Sequence, residues 1–371
     1  MMDKSLQNKV LGILGTSKNT GKTTTASALL EIANKKNLSV GITSIGYDGE
    51  DIDNITGLPK PRIFTEKGIF IATTNNCIKA GTAIIEILEG TKFYNALGNI
   101  VIGNVIEEGL AVIAGPNKGN ELSTILERLK RYGNELILVD GALNRIIPLM
   151  KADALILTTG AARSIDNVFL ARETQCIYNL FNLPKIDKNN LLNLTDDKGK
   201  KVITLIQKNY SKSFLKTNSL ISLSDVQELI SKLNEKSCSI FVPGILTEFA
   251  LNELIKKNSK LLKNKNIIIP NPTHLLVGSN TISLTDTLFK MNKLEIGLKV
   301  VRTIPILAIT INPFYPLYRY ENNRYEKGWV NRNGLYNIIK SMVNIPVIDI
   351  VKEGSDNLFN IIKKELYLSK K

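Results

Sequence analysis

The chain has 371 residues, 43% of them hydrophobic and 22% charged, a balance that excludes wholesale disorder and a coiled coil and allows about two ordinary domains. Its formal charge of +14 raises the prospect of a polyanion partner. The lysines are dispersed, however, as at Lys35, Lys36, Lys200, Lys201, Lys256, Lys257, Lys263 and Lys265, so solvated faces account for them and nucleic acid is not the expected partner.

In chain order, a β-type run from Lys9 to Gly15, a helical pattern from Gly21 to Asn34 and a run from Leu38 to Ile45 make a βαβ opening. Further β-type runs follow at Gly68 to Thr73, Ile100 to Val105, Ala111 to Ala114, Glu135 to Val139 and Ala154 to Thr158. Amphipathic helices are predicted at Thr82 to Leu88, Leu122 to Tyr132 and Ile165 to Asn182. Alternation of this kind predicts an α/β fold with a mostly parallel sheet covered on both faces. Residues 1–183 form the expected nucleotide-binding domain. Pro184 opens a polar stretch read as an insert or linker over 184–238. From Ser239, runs at Ile240 to Val242, Asn266 to Ile269, Ile306 to Ile311 and Val347 to Val351, with a helix from Leu246 to Lys257, predict a second, smaller α/β unit over 239–371.

No apolar run reaches the roughly eighteen residues of a membrane span, so no membrane association is expected. Cys77, Cys176 and Cys238 form no Cys-x-x-Cys pair, and no secretory leader pattern is present, which makes a reducing cytoplasm the expected compartment. Cys77 and Cys176 read as small buried hydrophobes, and the single histidine, His274, as structural.

The strongest signal is Gly15-Thr16-Ser17-Lys18-Asn19-Thr20-Gly21-Lys22-Thr23-Thr24, set between a predicted strand and a predicted helix. A triphosphate needs inward backbone amides, a helix N-terminus and a cation that reaches its terminal phosphates. Gly21 permits the tight bend, Lys22 supplies the cation, Thr23 offers a hydroxyl to Mg²⁺, and Thr24 can meet another phosphate oxygen. The first glycine stands one residue earlier than in the common Gly-x-x-x-x-Gly-Lys-Ser/Thr form; without a nucleotide, the same residues would be a Gly/Ser/Thr turn. Leu136-Ile137-Leu138-Val139-Asp140-Gly141-Ala142 is an apolar strand ending in a carboxylate, the pattern needed to hold a metal or its water shell. Thr43-Ser44-Ile45-Gly46-Tyr47-Asp48-Gly49-Glu50-Asp51 falls where the strand beside the loop should end. Asp48 and Glu50 are therefore candidates for binding Mg²⁺ through water or orienting an attacking water, or else form a solvated acidic turn.

Leu58-Pro59-Lys60-Pro61-Arg62 is a stiff basic segment that offers Lys60 and Arg62 to a ligand or serves as a connector. Asn312 reads as a turn at a strand end, with base recognition as the lesser alternative. Aromatic residues from Phe314 to Trp329, interleaved with Arg319, Arg324 and Lys327, read first as local packing and second as a contact surface.

The shifted glycine and the strand ending in Asp140 resemble the dethiobiotin synthetase and cobyric acid synthase branch of the SIMIBI P-loop proteins, with Asp140 where that branch has Glu. This likeness implies an ATP-dependent small-molecule ligase that activates a carboxylate. The single histidine lacks the cysteine partner of a glutamine-hydrolysing domain, so independent amidotransferase activity is not expected. Over roughly the first 150 residues, the combination of loop, Gly41-Ile42-Thr43-Ser44-Ile45-Gly46-Tyr47-Asp48-Gly49-Glu50 and Leu58-Pro59-Lys60-Pro61-Arg62-Ile63 resembles the reactivase subunits associated with lysine 5,6-aminomutase. The resemblance implies a Mg²⁺-dependent ATPase of bacterial amino-acid fermentation that helps an adenosylcobalamin- and pyridoxal-phosphate-dependent aminomutase shed inactivated cobalamin, together with a second, MutS-related ATPase subunit. It also carries over Lys22, Thr23, Asp140 and Asp48 as nucleotide and metal residues, and leaves a homodimer open. His274 has no surrounding Asp-x-His-x-x-Gly loop, so the chain is not expected to be the mutase. ATP is the expected nucleotide, with GTP open because no Asn-Lys-x-Asp motif occurs. A partition-type NTPase fits less well, because Ser17 stands where its signature lysine would be and Lys18 is one residue out of register.

Overall fold

The computed structural model describes residues 8–46, 63–186, 199–321 and 323–368. The fold is α/β and divides into two compact units, Met1–Ala171 with Ile304–Lys371, and Arg172–Thr303.

The first unit is built on nine strands: β1 (Lys9–Gly15), β2 (Val40–Ser44), β3 (Phe70–Thr74), β4 (Ile84–Asn95), β5 (Gly98–Glu107), β6 (Leu136–Ala142), β7 (Ala154–Gly160), β8 (Ile306–Asn312) and β9 (Val347–Ile348). Their order across the sheet is β9-β8-β7-β1-β6-β2-β3-β5-β4. All neighbours from β9 to β3 run parallel, while β5 and β4 extend the sheet as an antiparallel hairpin. The central strands are near-continuous apolar runs because both faces are covered. Helix α1 (Lys22–Lys35) buries Ala26, Leu29, Leu30 and Ala33 in one cluster with Leu11, Ile13, Ile42, Leu136 and Leu138. Each such fully buried leucine contributes about 2 kcal/mol of transfer free energy.

Two sequence expectations change here. The segment expected as a helix from Thr82 to Leu88 lies largely in β4, whose irregular pairing with β5 is bulged at three places. Its Ile-rich run fits either periodicity over so short a window. The runs at Ile306 and Val347 do not build a separate C-terminal unit: β8 is buried along almost its whole length and sits beside β7 in the main sheet.

The second unit carries a five-stranded sheet in the order Lys212–Phe214, Thr204–Gln207, Ser237–Phe241, Asn266–Ile269, Gly297–Val300. The last three strands are parallel and are linked through helices that include Glu248–Leu262 and Thr281–Lys293. The stretch expected as linker thus supplies two strands of this sheet and the helix Leu223–Lys232, whose start is fixed by a Ser222–Asp225 capping box.

Candidate functional site

The loop lies between the end of β1 at Gly15 and the start of α1 at Lys22. Two left-handed residues make it tight: Asn19 at φ 58° and Gly21 at φ 99°, conformations that asparagine and glycine adopt most readily. Gly15 is needed for a different reason, because a Cβ there would lie 2.6 Å from Lys22 Cδ. The lysine folds back over the loop, and its Nζ donates to the Ser17 carbonyl at 3.4 Å.

Neighbouring strands fasten the loop from the side. Thr16 N–H donates to the Thr158 carbonyl at 3.0 Å, and its hydroxyl donates to Thr159 Oγ1 at 3.4 Å. Buried Thr20 donates to the Ser17 carbonyl at 2.9 Å and meets Thr158 Oγ1 at 3.3 Å. Asn312 Nδ2 donates to the Asn19 carbonyl at 2.8 Å, and Thr25 Oγ1 lies 3.0 Å from Thr310 Oγ1.

The front of the loop is different. No side chain caps α1, and the amides of Asn19, Gly21, Lys22 and Thr23 donate to no protein acceptor among the described residues, while Thr20 N–H turns back towards the Ser17 carbonyl. Orphan amides at the positive end of a helix dipole are the chemistry of an anion site. Ser17, Lys22 and Thr23 are half-buried, while Lys18 and Thr24 are exposed.

Strand β6 brings Asp140 beside this loop. In the parallel register Asp140 stands opposite Ile13 on one side and Ser44 on the other, and Ala142 stands opposite Gly15. Asp140 shares its sheet face with Leu136 and Leu138, which pack in the cluster containing α1. Its half-buried carboxylate therefore belongs to the face that carries Lys22 and Thr23. Asp48, with Glu50, Lys60 and Arg62, lies outside the described residues. Among the described residues no three His, Cys, Asp or Glu side chains form a metal-holding group. Mg²⁺ bound with a polyphosphate typically uses only one or two protein side chains, and Thr23 and Asp140 suit that role.

Several neighbours escaped sequence reasoning. Thr158, Thr159 and Thr310 line the loop from β7 and β8, signalled only by small polar residues at strand ends. Asn312 forms the expected turn, its Oδ1 accepting from Phe314 N–H at 3.2 Å, yet its amide also braces the loop. Arg145 reaches the carboxyl end of β2, where a Cβ on Gly46 would lie 2.8 Å from Nη1 and 2.4 Å from Asn117 Oδ1. The aromatic run folds as a hairpin, Phe314–Arg319 with Arg324–Trp329, whose rings pack on one another, Phe314 against Trp329 and Tyr318 against Tyr320 and Tyr325.

Cys77 and Cys176 are buried, and burial pushes the Cys176 thiol up to about 11. His274 helps close a turn in the second unit, its carbonyl accepting from Leu246 N–H, and burial pushes its imidazole below the ordinary value. No helix among the described residues is long and apolar enough to cross a membrane. Compared with protein-family models and with curated proteins, the chain matches none.

Proposed function

We propose that the loop from Gly15 to Thr24 binds a nucleoside triphosphate with Mg²⁺, and that the chain is the nucleotide-driven ATPase subunit of a reactivase for an adenosylcobalamin-dependent aminomutase of the lysine 5,6-aminomutase type. The observation that carries the nucleotide reading is the set of unsatisfied amides at Asn19, Gly21, Lys22 and Thr23 beneath a lysine that rests on Ser17. In this reading the amides and Lys22 hold the phosphates, and Thr23 and Asp140 hold Mg²⁺, which supplies charge neutralisation for phosphoryl transfer. The partner assignment rests on the resemblance of the first 150 or so residues and includes a MutS-related companion ATPase.

Calorimetry with ATP and GTP, each with and without Mg²⁺, tests the first part; saturable, Mg²⁺-strengthened uptake is expected. Incubation with inactivated aminomutase, the companion ATPase, ATP and fresh adenosylcobalamin tests the second. Restored turnover that requires both this chain and ATP is expected, and failure to restore it removes the partner assignment.

A ligase is the second reading. Arg145, whose Nη1 lies beside Gly46 at the carboxyl end of β2, supports it, since a guanidinium there would pair with a substrate carboxylate. That activity would release ADP with a small carboxylate and a nucleophile alone, with no protein partner.

A further inference from the structure

Three of the four polar groups of Asn312, its carbonyl and both side-chain heteroatoms, are engaged, each with a different element. Its main-chain carbonyl accepts from Ala161 N–H at 2.8 Å, just beyond β7. Its Nδ2 donates to the Asn19 carbonyl at 2.8 Å, in the phosphate loop. Its Oδ1 accepts from Phe314 N–H at 3.2 Å, at the first residue of the aromatic hairpin. The fit is close: a Cβ on Gly160 would stand 2.2 Å from the Asn312 carbonyl oxygen, and one on Gly21 would stand 3.3 Å from Asn312 Cβ.

The grip on Asn19 has a directional effect. The Asn19 carbonyl and the Thr20 N–H belong to one trans peptide unit and point in opposite directions, so whatever holds the carbonyl also sets the aim of the amide. In the nucleotide reading a bound triphosphate acts on that peptide through Lys22 and Ser17. Lys22 must leave the Ser17 carbonyl to reach a terminal phosphate, and Ser17 is also the acceptor of the Thr20 hydroxyl. Rearrangement there is felt at Asn19, and hence at Asn312.

The hairpin is built to respond. Phe314–Arg319 and Arg324–Trp329 pair with each other and, among the described residues, with no other strand. Gly328, under the Tyr315 ring, is the one buried position on the two strands. Few buried contacts mean that small free energies move such an element. Its root is short and stiff: Pro313 follows Asn312 directly, and Val330 N–H closes the base on the Pro313 carbonyl at 3.0 Å. We infer that Asn312 is a positioning residue that couples occupancy of the phosphate loop to the arrangement of the Phe314–Trp329 hairpin; the inference rests on the nucleotide reading above.

The chain contains one tryptophan, Trp329, 57% exposed and edge-on to Phe314 at 5.4 Å, so intrinsic emission reports on the hairpin without labelling. The test titrates the full chain with the Mg²⁺ complexes of the non-hydrolysable imido analogues of ATP and GTP, following heat and tryptophan emission in parallel. The wild-type chain is expected to show a saturable emission change with the calorimetric midpoint. Asn312→Ala should weaken binding about fivefold, the typical effect of one hydrogen bond, and lose at least half of the emission change at saturation. Asn312→Asp keeps an acceptor for Phe314 but sets a carboxylate oxygen against the Asn19 carbonyl, and should lose the change as well. Binding without any emission change in the wild-type chain overturns the coupling and leaves the nucleotide reading standing. A full change at saturation in Asn312→Asp also overturns it. Absence of heat with either analogue removes the nucleotide reading and the coupling together.

Discussion

Each unit contains a strand that turns through six residues into a long helix, residues 16–21 between β1 and α1 and residues 242–247 between Ser237–Phe241 and Glu248–Leu262. The two turns treat their amides in opposite ways. In the second unit Gly244 N–H donates to Asn218 O, Ile245 N–H to Ser219 Oγ, Leu246 N–H to His274 O and Thr247 N–H to Leu220 O. The helix start is closed too, with Glu248 N–H on Ser279 Oγ and Ala250 N–H on Thr247 Oγ1. In the first unit the amides of Asn19, Gly21, Lys22 and Thr23 meet no protein acceptor among the described residues, and Lys22 rests on its own loop. Similar topology thus gives a closed joint in one place and unsatisfied helix-start donors in the other, and the difference lies in which donors the protein itself satisfies.

The contrast is open to attack from both sides. The largest effect is expected at Lys22. Lys22→Ala removes a charge-assisted contact and should weaken Mg²⁺-triphosphate binding about a hundredfold, or beyond detection, with loss of aminomutase rescue and little change in the urea midpoint of the nucleotide-free chain. Rescue that survives this substitution defeats the proposed function. An intermediate effect is expected at the closed turn: a Cβ on Gly244 would lie 2.1 Å from Ser219 Oγ and 2.6 Å from the Asn218 carbonyl oxygen. Gly244→Ala should therefore cost about 2 kcal/mol in urea unfolding and leave nucleotide affinity unchanged. A matching loss of affinity would show that the turn is more than a joint.

The smallest effect concerns His274. Burial lowers its pKa from the ordinary 6.5, against a weaker opposing hydrogen bond with Asn271. The unfolded chain takes up the proton first as pH falls below 6.5, so the stability held by the neutral ring is present above that value and declines below it. A proton NMR titration of this sole imidazole should place its midpoint below 6.5; a midpoint at or above 6.5 would remove the residue from the buried side of the joint.

The contiguous part of the site could be read from the sequence, because Gly15 to Thr24 carries its own flanking strand and helix and Asp140 ends an unmistakable apolar run. The wall around it could not. Asn312 is 293 residues from Asn19, and only the strand order reveals that β8 lies two places from β1. The same blindness affects the division into units, since an apolar run such as Ile306–Asn312 announces a buried strand without saying which sheet receives it. Thr82 to Leu88 shows the limit of periodicity itself: five consecutive apolar or acidic positions from Ile84 to Leu88 satisfy a helix as well as a bulged edge strand.

The return of the chain at Ile304 to finish the sheet sets an order of events on the ribosome. At elongation rates of about 5–20 residues per second, Gly15 to Thr24 is synthesised ~15–60 s before Asn312 exists to hold it. During that interval the nascent polypeptide carries the Gly15–Thr24 bend without its lateral clamp, and the bend gains that clamp only after both units' strands up to β8 have been made.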